Sequence, residues 1–367
     1  MKKIVCMAAV ACLALPLQAQ NEIPQNQSVR ILNEKDNSTY IPVFQYWKEH
    51  NILQHLDVSL TAGTSGIGFD VASQVGDYVQ VRAGYEFMPH FHKTLKFNVT
   101  VGGEPARQYD SEGNRIITKF DKMKEFLYQF TGYDVEDHVD MVGTPTMNNF
   151  KFLVDVTPFK ENKHWHVTAG FFWGPSQFAR AENSIESMVS LLSVGMYNRM
   201  YDKATSDPVQ PLFDLEALGL SGMTFDRDLQ EEIYQRIRSY GRLGFALGTF
   251  KHDVTDNNGV VHHAGEPYIL EPDEDCRVRV KAKSNSFKPY LGFGYSGRLV
   301  KNRDDWKISV DAGAMFWGGT PDLIVHDGIN LTKDVENIGG QVGDYVDIFK
   351  AFKVYPVLTL RLSKTIF

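Results

Sequence analysis

The chain has 367 residues, enough for one large β domain with insertions or for two ordinary domains. Its 43% apolar and 23% charged residues exclude a compositionally disordered chain, and its net charge of −7 argues against nucleic acid as a partner. Aromatic residues are frequent at 12%, with 24 Phe and 16 Tyr, and their positions matter once strands are placed.

At the start, Lys2 and Lys3 precede an apolar run from Ile4 to Leu15, followed by Pro16 and Leu17-Gln18-Ala19. A positive beginning, a short apolar segment and a small residue at the cut describe a secretory signal peptide over 1–19, cleaved after Ala19. The run is too short to anchor the chain across about 30 Å of hydrocarbon. The other alternative is a lipobox at Ala9-Val10-Ala11-Cys12, which lacks a Leu three residues before the Cys. Cleavage removes Lys2, Lys3, Cys6 and Cys12, moving the net charge from −7 to −9 and leaving Cys276 with no partner for an internal disulfide. Residues 20–53 read as a periplasmic segment. Beyond Gln20 no stretch approaches the roughly 18 apolar residues of a transmembrane helix.

From residue 54 the dominant signal is alternation with period two. His55–Gly63 sets Leu56, Val58, Leu60 and Ala62 against Asp57, Ser59 and Thr61. Gly66–Ser73 and Asp77–Met88 follow, the latter with Val79, Val81, Ala83, Tyr85 and Phe87 against Gln80, Arg82, Gly84 and Glu86. A long insertion, 89–146, carries Met123, Phe126, Leu127 and Phe130 at helical spacing within Asp121–Phe130. Met147–Thr157 and His164–Gly174 resume the alternation. The insertion 175–285 holds helical patterns over Ser176–Arg199 and Asp226–Arg238. It also holds short alternating runs at Arg242–Phe250 and Arg277–Lys283. Ser286–Gly297, Trp306–Trp317 and Val354–Phe367 complete the series around a third insertion, 318–353.

Eight segments near the length of a membrane-crossing strand predict an antiparallel up-and-down transmembrane β-barrel over 54–367. Short links at Gln74-Val75-Gly76, Lys160–Lys163 and Arg298–Asp305 face the periplasm, and the long, partly helical insertions face outside. Arg242–Phe250 and Arg277–Lys283 read as an external hairpin; counting them as wall strands gives ten, and ten to twelve is the alternative.

A soluble barrel has the same period, so the choice of a membrane rests on two patterns. Large aromatics gather at both strand ends, with Trp165 and Trp306 at the turn end. Tyr85, Phe87, Trp173, Phe316 and Trp317 sit at the loop end, as interfacial girdles require. The opposite face carries Asp57, Asp70, Glu86, Asp155 and Asp311 against Arg82, Lys151, Lys288, Lys307 and Arg361. In an eight-stranded lumen, barely wide enough for side chains, these charges must neutralise one another and plug the barrel.

The stretch Leu60-Thr61-Ala62-Gly63-Thr64-Ser65-Gly66-Ile67-Gly68 with Tyr78–Gly84 resembles the opening of small outer-membrane barrels of the Bacteroidota type. These are OmpA-like or opacity-like transmembrane barrels. Lys288-Pro289-Tyr290-Leu291-Gly292-Phe293-Gly294, Asp311-Ala312-Gly313 and Tyr355-Pro356-Val357-Leu358 share the resemblance, which covers roughly 54–90, 147–174 and 286–367. It implies an architecture in a Gram-negative outer membrane and carries over no catalytic residue. The barrel-assembly signal at Ile366 and Phe367 departs from the usual pattern: the apolar register of Leu358, Leu360 and Leu362 reaches Ile366, not the terminal aromatic.

Residue patterns for chemistry are sparse. Seven acids and one Arg between Asp207 and Glu232, and seven acids and one Lys between Lys251 and Asp275, read as solvated surface. Their other reading is a set of cation bridges to lipopolysaccharide. Asp256-Asn257-Asn258-Gly259 reads as a hairpin turn. The pairs His90/His92, His164/His166 and His262/His263 lack a third metal ligand, and no nucleophile-elbow, nucleotide or Cys-ligand motif is present. The expectation is therefore a barrel without enzymatic activity, metal or cofactor, acting structurally or through its external loops. A narrow channel or conduit for a small or hydrophobic ligand is the runner-up, and an outer-membrane enzyme ranks below both. Expected partners are outer-membrane lipid, lipopolysaccharide and the barrel-assembly machinery.

Overall fold

The computed structural model describes residues 28–31, 39–42, 52–159, 161–212, 226–301 and 303–366. The expected signal peptide over 1–19 and Phe367 lie outside them, as does most of 20–53. Ser28–Ile31 and Thr39–Pro42 pair as a small hairpin.

In chain order, β1 is Ile52–Gly63, β2 Gly66–Val75, β3 Val79–Phe87, β4 Lys93–Val101, β5 His138–Pro145, β6 Asn148–Val156 and β7 Trp165–Trp173. Then come β8 at Gln177–Asn183, β9 at Leu243–Phe250, β10 at Pro267–Leu270 and β11 at Arg279–Lys283. Last are β12 at Phe287–Val300, β13 at Arg303–Met315, β14 at Asp322–Val325 and β15 at Tyr355–Thr365. The helices are α1 Lys119–Thr131, α2 Met188–Thr205, α3 Arg227–Tyr240 and α4 Gly340–Ala351.

Among the described residues, eight strands close an antiparallel barrel in the order β6-β7-β12-β13-β15-β1-β2-β3, with β3 pairing back onto β6. The eight expected segments are these strands, each within a few residues of its expected bounds. Pairing is regular over long stretches: Trp306 faces Lys364, and every residue through Met315 facing Tyr355 is in register.

The period-two pattern settles which face is which. Side chains at Asp57, Ser59 and Thr61 on β1, at Lys151, Leu153 and Asp155 on β6, and at Ser309 and Asp311 on β13 are buried in the lumen. Their neighbours point outward, and large apolar ones stay uncovered: Leu60 is 66% exposed and Phe293 58%, with Phe69, Val167, Leu291, Val310, Leu358 and Leu360 also exposed. The wall is thus apolar outside and charged inside, the inverse of a water-soluble barrel.

The insertions are not loops. Strands β4, β5, β8, β11 and β14 pair side by side, in the same order as the wall strands β3, β6, β7, β12 and β13 that they adjoin in sequence. Five staves of the barrel therefore run on past its mouth as an open sheet. Hydrogen bonds continue through the junction: Met88 N donates to Met147 O at 2.8 Å, Thr146 N to Phe178 O at 2.7 Å, and Asn285 N to Trp317 O at 2.9 Å. Strand β9 extends this sheet beyond β4, and β10 extends it beyond β9.

This corrects two expectations. Arg242–Phe250 and Arg277–Lys283 do not form a hairpin with each other. The former falls in β9, paired with β4 and β10, and the latter in β11, paired with β8 and β14. The helix expected over Ser176–Arg199 begins only at Met188, because Gln177–Asn183 is held as β8 between β5 and β11. Tertiary pairing outweighs local propensity there.

Helices α1, α2 and α3 cover the sheet. Met123, Leu127, Leu191, Val194, Tyr197, Ile233 and Ile237 are buried with Phe97, Val99, Val101, Val139, Met141, Leu243 and Phe245. Helix α1 starts with a reciprocal cap: Thr118 Oγ1 accepts from Asp121 N, and the Asp121 carboxylate accepts from Thr118 N. It stops at Gly132 in the left-handed region, φ 70°. Asp256–Gly259 is the expected turn, with Gly259 at φ 82° and its N–H donating to Asp256 O. No helix among the described residues is long and apolar enough to cross a membrane.

Candidate functional site

The candidate site is the lumen, which falls into three layers along the barrel axis. At the mouth, Leu153, Phe172, Tyr290, Met315 and Val357 are buried inward and merge with the core of the external sheet. Phe172 and Tyr290 meet edge to face with centroids 5.4 Å apart. This layer is apolar and sealed.

Below it lies the charge network; of the ten charged residues assigned to this face, Asp57, Asp70, Arg82, Glu86, Lys151, Asp155, Lys288, Asp311 and Arg361 are buried and Lys307 is half-buried. Lys151 Nζ reaches Asp70 Oδ2 at 3.0 Å and Glu86 Oε1 at 2.8 Å, and also donates to Thr61 Oγ1 at 3.3 Å. Arg82 pairs with Asp155, its Nη2 donating to Oδ1 at 2.8 Å and its Nε standing 2.7 Å from Oδ2, with Asp311 at 3.8 Å. Arg361 stands 3.6 Å from Asp155 and 3.8 Å from Asp311. Thr168 Oγ1 donates to Asp155 at 2.7 Å. Asp70 is 0% exposed, and Lys151, Arg82, Glu86 and Arg361 are nearly as deep. Removing one member of such a buried set leaves its partners charged and dry, at a cost of about 3–5 kcal/mol.

Two expected members behave differently. Lys307 is partly exposed at the turn end, 3.9 Å from Asp57. Lys288 is fully buried near the mouth, yet its Nζ meets neutral acceptors, Asn149 Oδ1 at 3.2 Å and Ser286 O at 3.4 Å, and is absent from the network's ion pairs.

Glycine lets the charged side chains lie flat against the wall. Gly294 sits between His166 on β7 and Asp311 on β13 in the pairing register. A Cβ there would stand 2.4 Å from His166 Nε2 and 2.5 Å from Asp311 Oδ1. Without it the imidazole crosses the intervening strand and meets Asp311 Oδ1 at 2.6 Å. The small residues of the lumen face are thus spaces for their neighbours' side chains.

The third layer is open. At the turn end a cavity of about 330 Å³ is bounded by Asp57, Gln80, His166, Ser296, Lys307 and Arg361, among others, and ends on Asp155 and Arg361 of the network. Its wall holds a chain of polar contacts that sequence reasoning did not identify. Ser296 Oγ lies 3.4 Å from His166 Nδ1 and 2.8 Å from Ser309 Oγ, and Arg361 Nη2 donates to Ser309 Oγ at 3.4 Å. Sequence spacing pairs His166 with His164, two potential metal ligands. The rings diverge: His166 points into the lumen, whereas His164 is exposed at the turn, stacked on Tyr295. Among the described residues no cluster of three His, Cys, Asp or Glu is placed to hold a metal ion.

The aromatic girdles need one correction. Phe87, Trp165, Trp173 and Phe316 are exposed on the outer wall, with Tyr85 and Trp306 partly so. Trp317 is not: it is 3% exposed, 5.0 Å from the Phe178 ring and 5.2 Å from that of Tyr355. Its indole N–H donates to Phe352 O at 3.0 Å. Strand β13 ends at Met315, so Trp317 belongs to the turn into the external sheet and closes the mouth. At the other end of the barrel, Ile366 is exposed and its N–H bonds Leu56 O at 2.8 Å; Phe367, its companion in the expected assembly signal, lies outside the described residues.

No family model matches the chain, and no curated protein matches it. Among solved structures, a crystal structure of Acinetobacter baumannii CarO2 aligns at 13% identity with a TM-score of 0.33, covering 85% of this chain and 98% of that one. A crystal structure of A. baumannii CarO aligns at 14% identity with a TM-score of 0.32, covering 84% and 96%. Similarity at this level carries no functional argument; the barrel stands on the chain's own strand pairing.

Proposed function

We propose that the protein is a non-conducting β-barrel of a Gram-negative outer membrane, holding a folded, sheet-based cap at the cell surface as its interacting part. The observation that carries this reading is the inverted wall, apolar side chains uncovered outside and ion pairs buried inside. In water such an exterior would be an association liability; in a bilayer it is the required surface. The reading includes export through the 1–19 signal peptide, insertion by the barrel-assembly machinery, and contact of the outer wall with lipid and lipopolysaccharide. The cap's size favours surface interaction over a role confined to the membrane, since most of the buried apolar core belongs to it. A conduit would require both the ion-paired layer and the apolar layer at the mouth to move aside.

Two measurements test this together. Planar-bilayer recordings of the purified protein should show no steady conductance, and a stable open pore would refute the plug. In a Cys276→Ala background, a cysteine at Gly113 in the cap should react with an impermeant maleimide on intact cells, whereas one at Asn162 in a turn should not. Reversed reactivity would overturn the orientation.

A further inference from the structure

The lumen network explains why the charged residues are buried, but not the group of side chains beside the open cavity. Ser296, His166 and Asp311 come from three adjacent strands, β12, β7 and β13. The pairing register places His166 opposite Gly294, Gly294 opposite Asp311, and Ser296 opposite Ser309. The resulting sequence of contacts is hydroxyl to imidazole at 3.4 Å and imidazole to carboxylate at 2.6 Å. His166 and Asp311 are buried, while Ser296 is partly exposed and borders the 330 Å³ cavity.

A serine, a base in reach of it and a carboxylate orienting the base are the parts of an acyl-transfer nucleophile, recognised by geometry whatever fold carries them. Here Nδ1 faces the serine and Nε2 the carboxylate. Either imidazole nitrogen takes up a proton, so the chemistry requires only that one meet each partner. A separation of 3.4 Å is within the looser spacing of unliganded sites. Arg361 supplies the remaining element. Its Nη2 donates to Ser309, which in turn bonds Ser296, while its Nε faces Asp311 at 3.8 Å, so the guanidinium lends buried positive charge two contacts from the nucleophile.

We propose that Ser296, His166 and Asp311 form a hydrolytic relay in the lumen cavity, cleaving short carboxylic esters that enter from the turn end of the barrel. Ser296 Oγ attacks the ester carbonyl carbon as His166 Nδ1 takes the hydroxyl proton, and the negative oxygen develops beside Arg361. Collapse breaks the carbon–oxygen bond to the alcohol, which leaves with the proton from His166. Water then adds to the acyl-serine by the same route in reverse, releasing the acid and restoring the hydroxyl. Ester and water are the only reactants. Asp311 is a positioning residue, holding the ring across Gly294. The cavity's size and its polar lining, with Lys163 and Lys307 beside Asp57 and Asp77, restrict the substrate to a small ester. The relay goes beyond the surface role proposed above, and it depends neither on the cap's role nor on the orientation in a membrane.

The test uses the full mature chain, folded in detergent. A fluorophosphonate should add covalently to the wild-type protein at one site, mapped by peptide mass to Ser296. With p-nitrophenyl acetate, Ser296→Ala and His166→Gln should each lower kcat by at least about a hundredfold. Asp311→Asn should lower kcat per folded molecule while leaving KM in place; the folded fraction is counted independently, because loss of folded protein alone lowers apparent kcat at unchanged KM. Retention of the compact, heat-modifiable band in gel electrophoresis identifies variants that still fold. Absence of adduct on folded wild-type protein, an adduct mapped to Ser309 or another residue, or turnover equal in folded Ser296→Ala would each overturn the proposal. The wild-type labelling needs no variant, so the outcome stands even if a substitution prevents folding.

Discussion

Lys151 joins two acids, Asp70 and Glu86, that come from β2 and β3. Replacing it with Met keeps the approximate length of the side chain but leaves two carboxylates buried without a cation. Lys151→Met is expected to destabilise the barrel by about 3–5 kcal/mol, read as a lower urea midpoint for unfolding from detergent micelles or bilayers. A shift no larger than that of a conservative surface change would mean the network is solvated. The face of each charged wall residue was legible because strict alternation assigns it before any contact is known. Ser296 and His166 were not, since their association depends on which strands are neighbours and on the gap at Gly294. Trp317 was misplaced for a related reason. Alternation continues through Phe316, and the only local sign that the strand has ended is Gly318-Gly319, at φ 100° and 99°.

At the scale of elements, the wall strands were readable and the cap strands were not. The wall alternates over nine or more residues in most strands, as in β6 and β12. Cap strands such as β10 and β14 span four residues each, too few for a period to emerge. Strand β8, Gln-Phe-Ala-Arg-Ala-Glu-Asn, has little strand character of its own and is set by its partners on both sides. Helix α1 was readable because its apolar spacing and its Thr118 to Asp121 start agree. That cap gives a local test: Thr118→Ala removes the acceptor for Asp121 N and should cost about 1 kcal/mol. Faster hydrogen exchange confined to α1 and the strands beneath it would match this, whereas an equal change in the barrel strands would show that cap and wall unfold as one unit.

For the molecule as a whole, the arrangement is a barrel whose five continuing staves carry a soluble-type core outward. The two halves obey opposite burial rules along the same strands. Below the mouth, apolar residues face outward and charges inward; above it, apolar residues are covered by helices and charges face outward. Strand β7 shows this within a few residues, with Val167 and Trp173 uncovered on the wall and Phe178 buried just beyond it in β8. The change of rule at the mouth is what a passage from hydrocarbon to water demands. Its most direct test is sedimentation velocity of the refolded chain from Gln20 onward, with and without detergent. The inverted wall predicts a single species in detergent micelles and heavy aggregates once detergent is removed. A monodisperse monomer in plain buffer would contradict it.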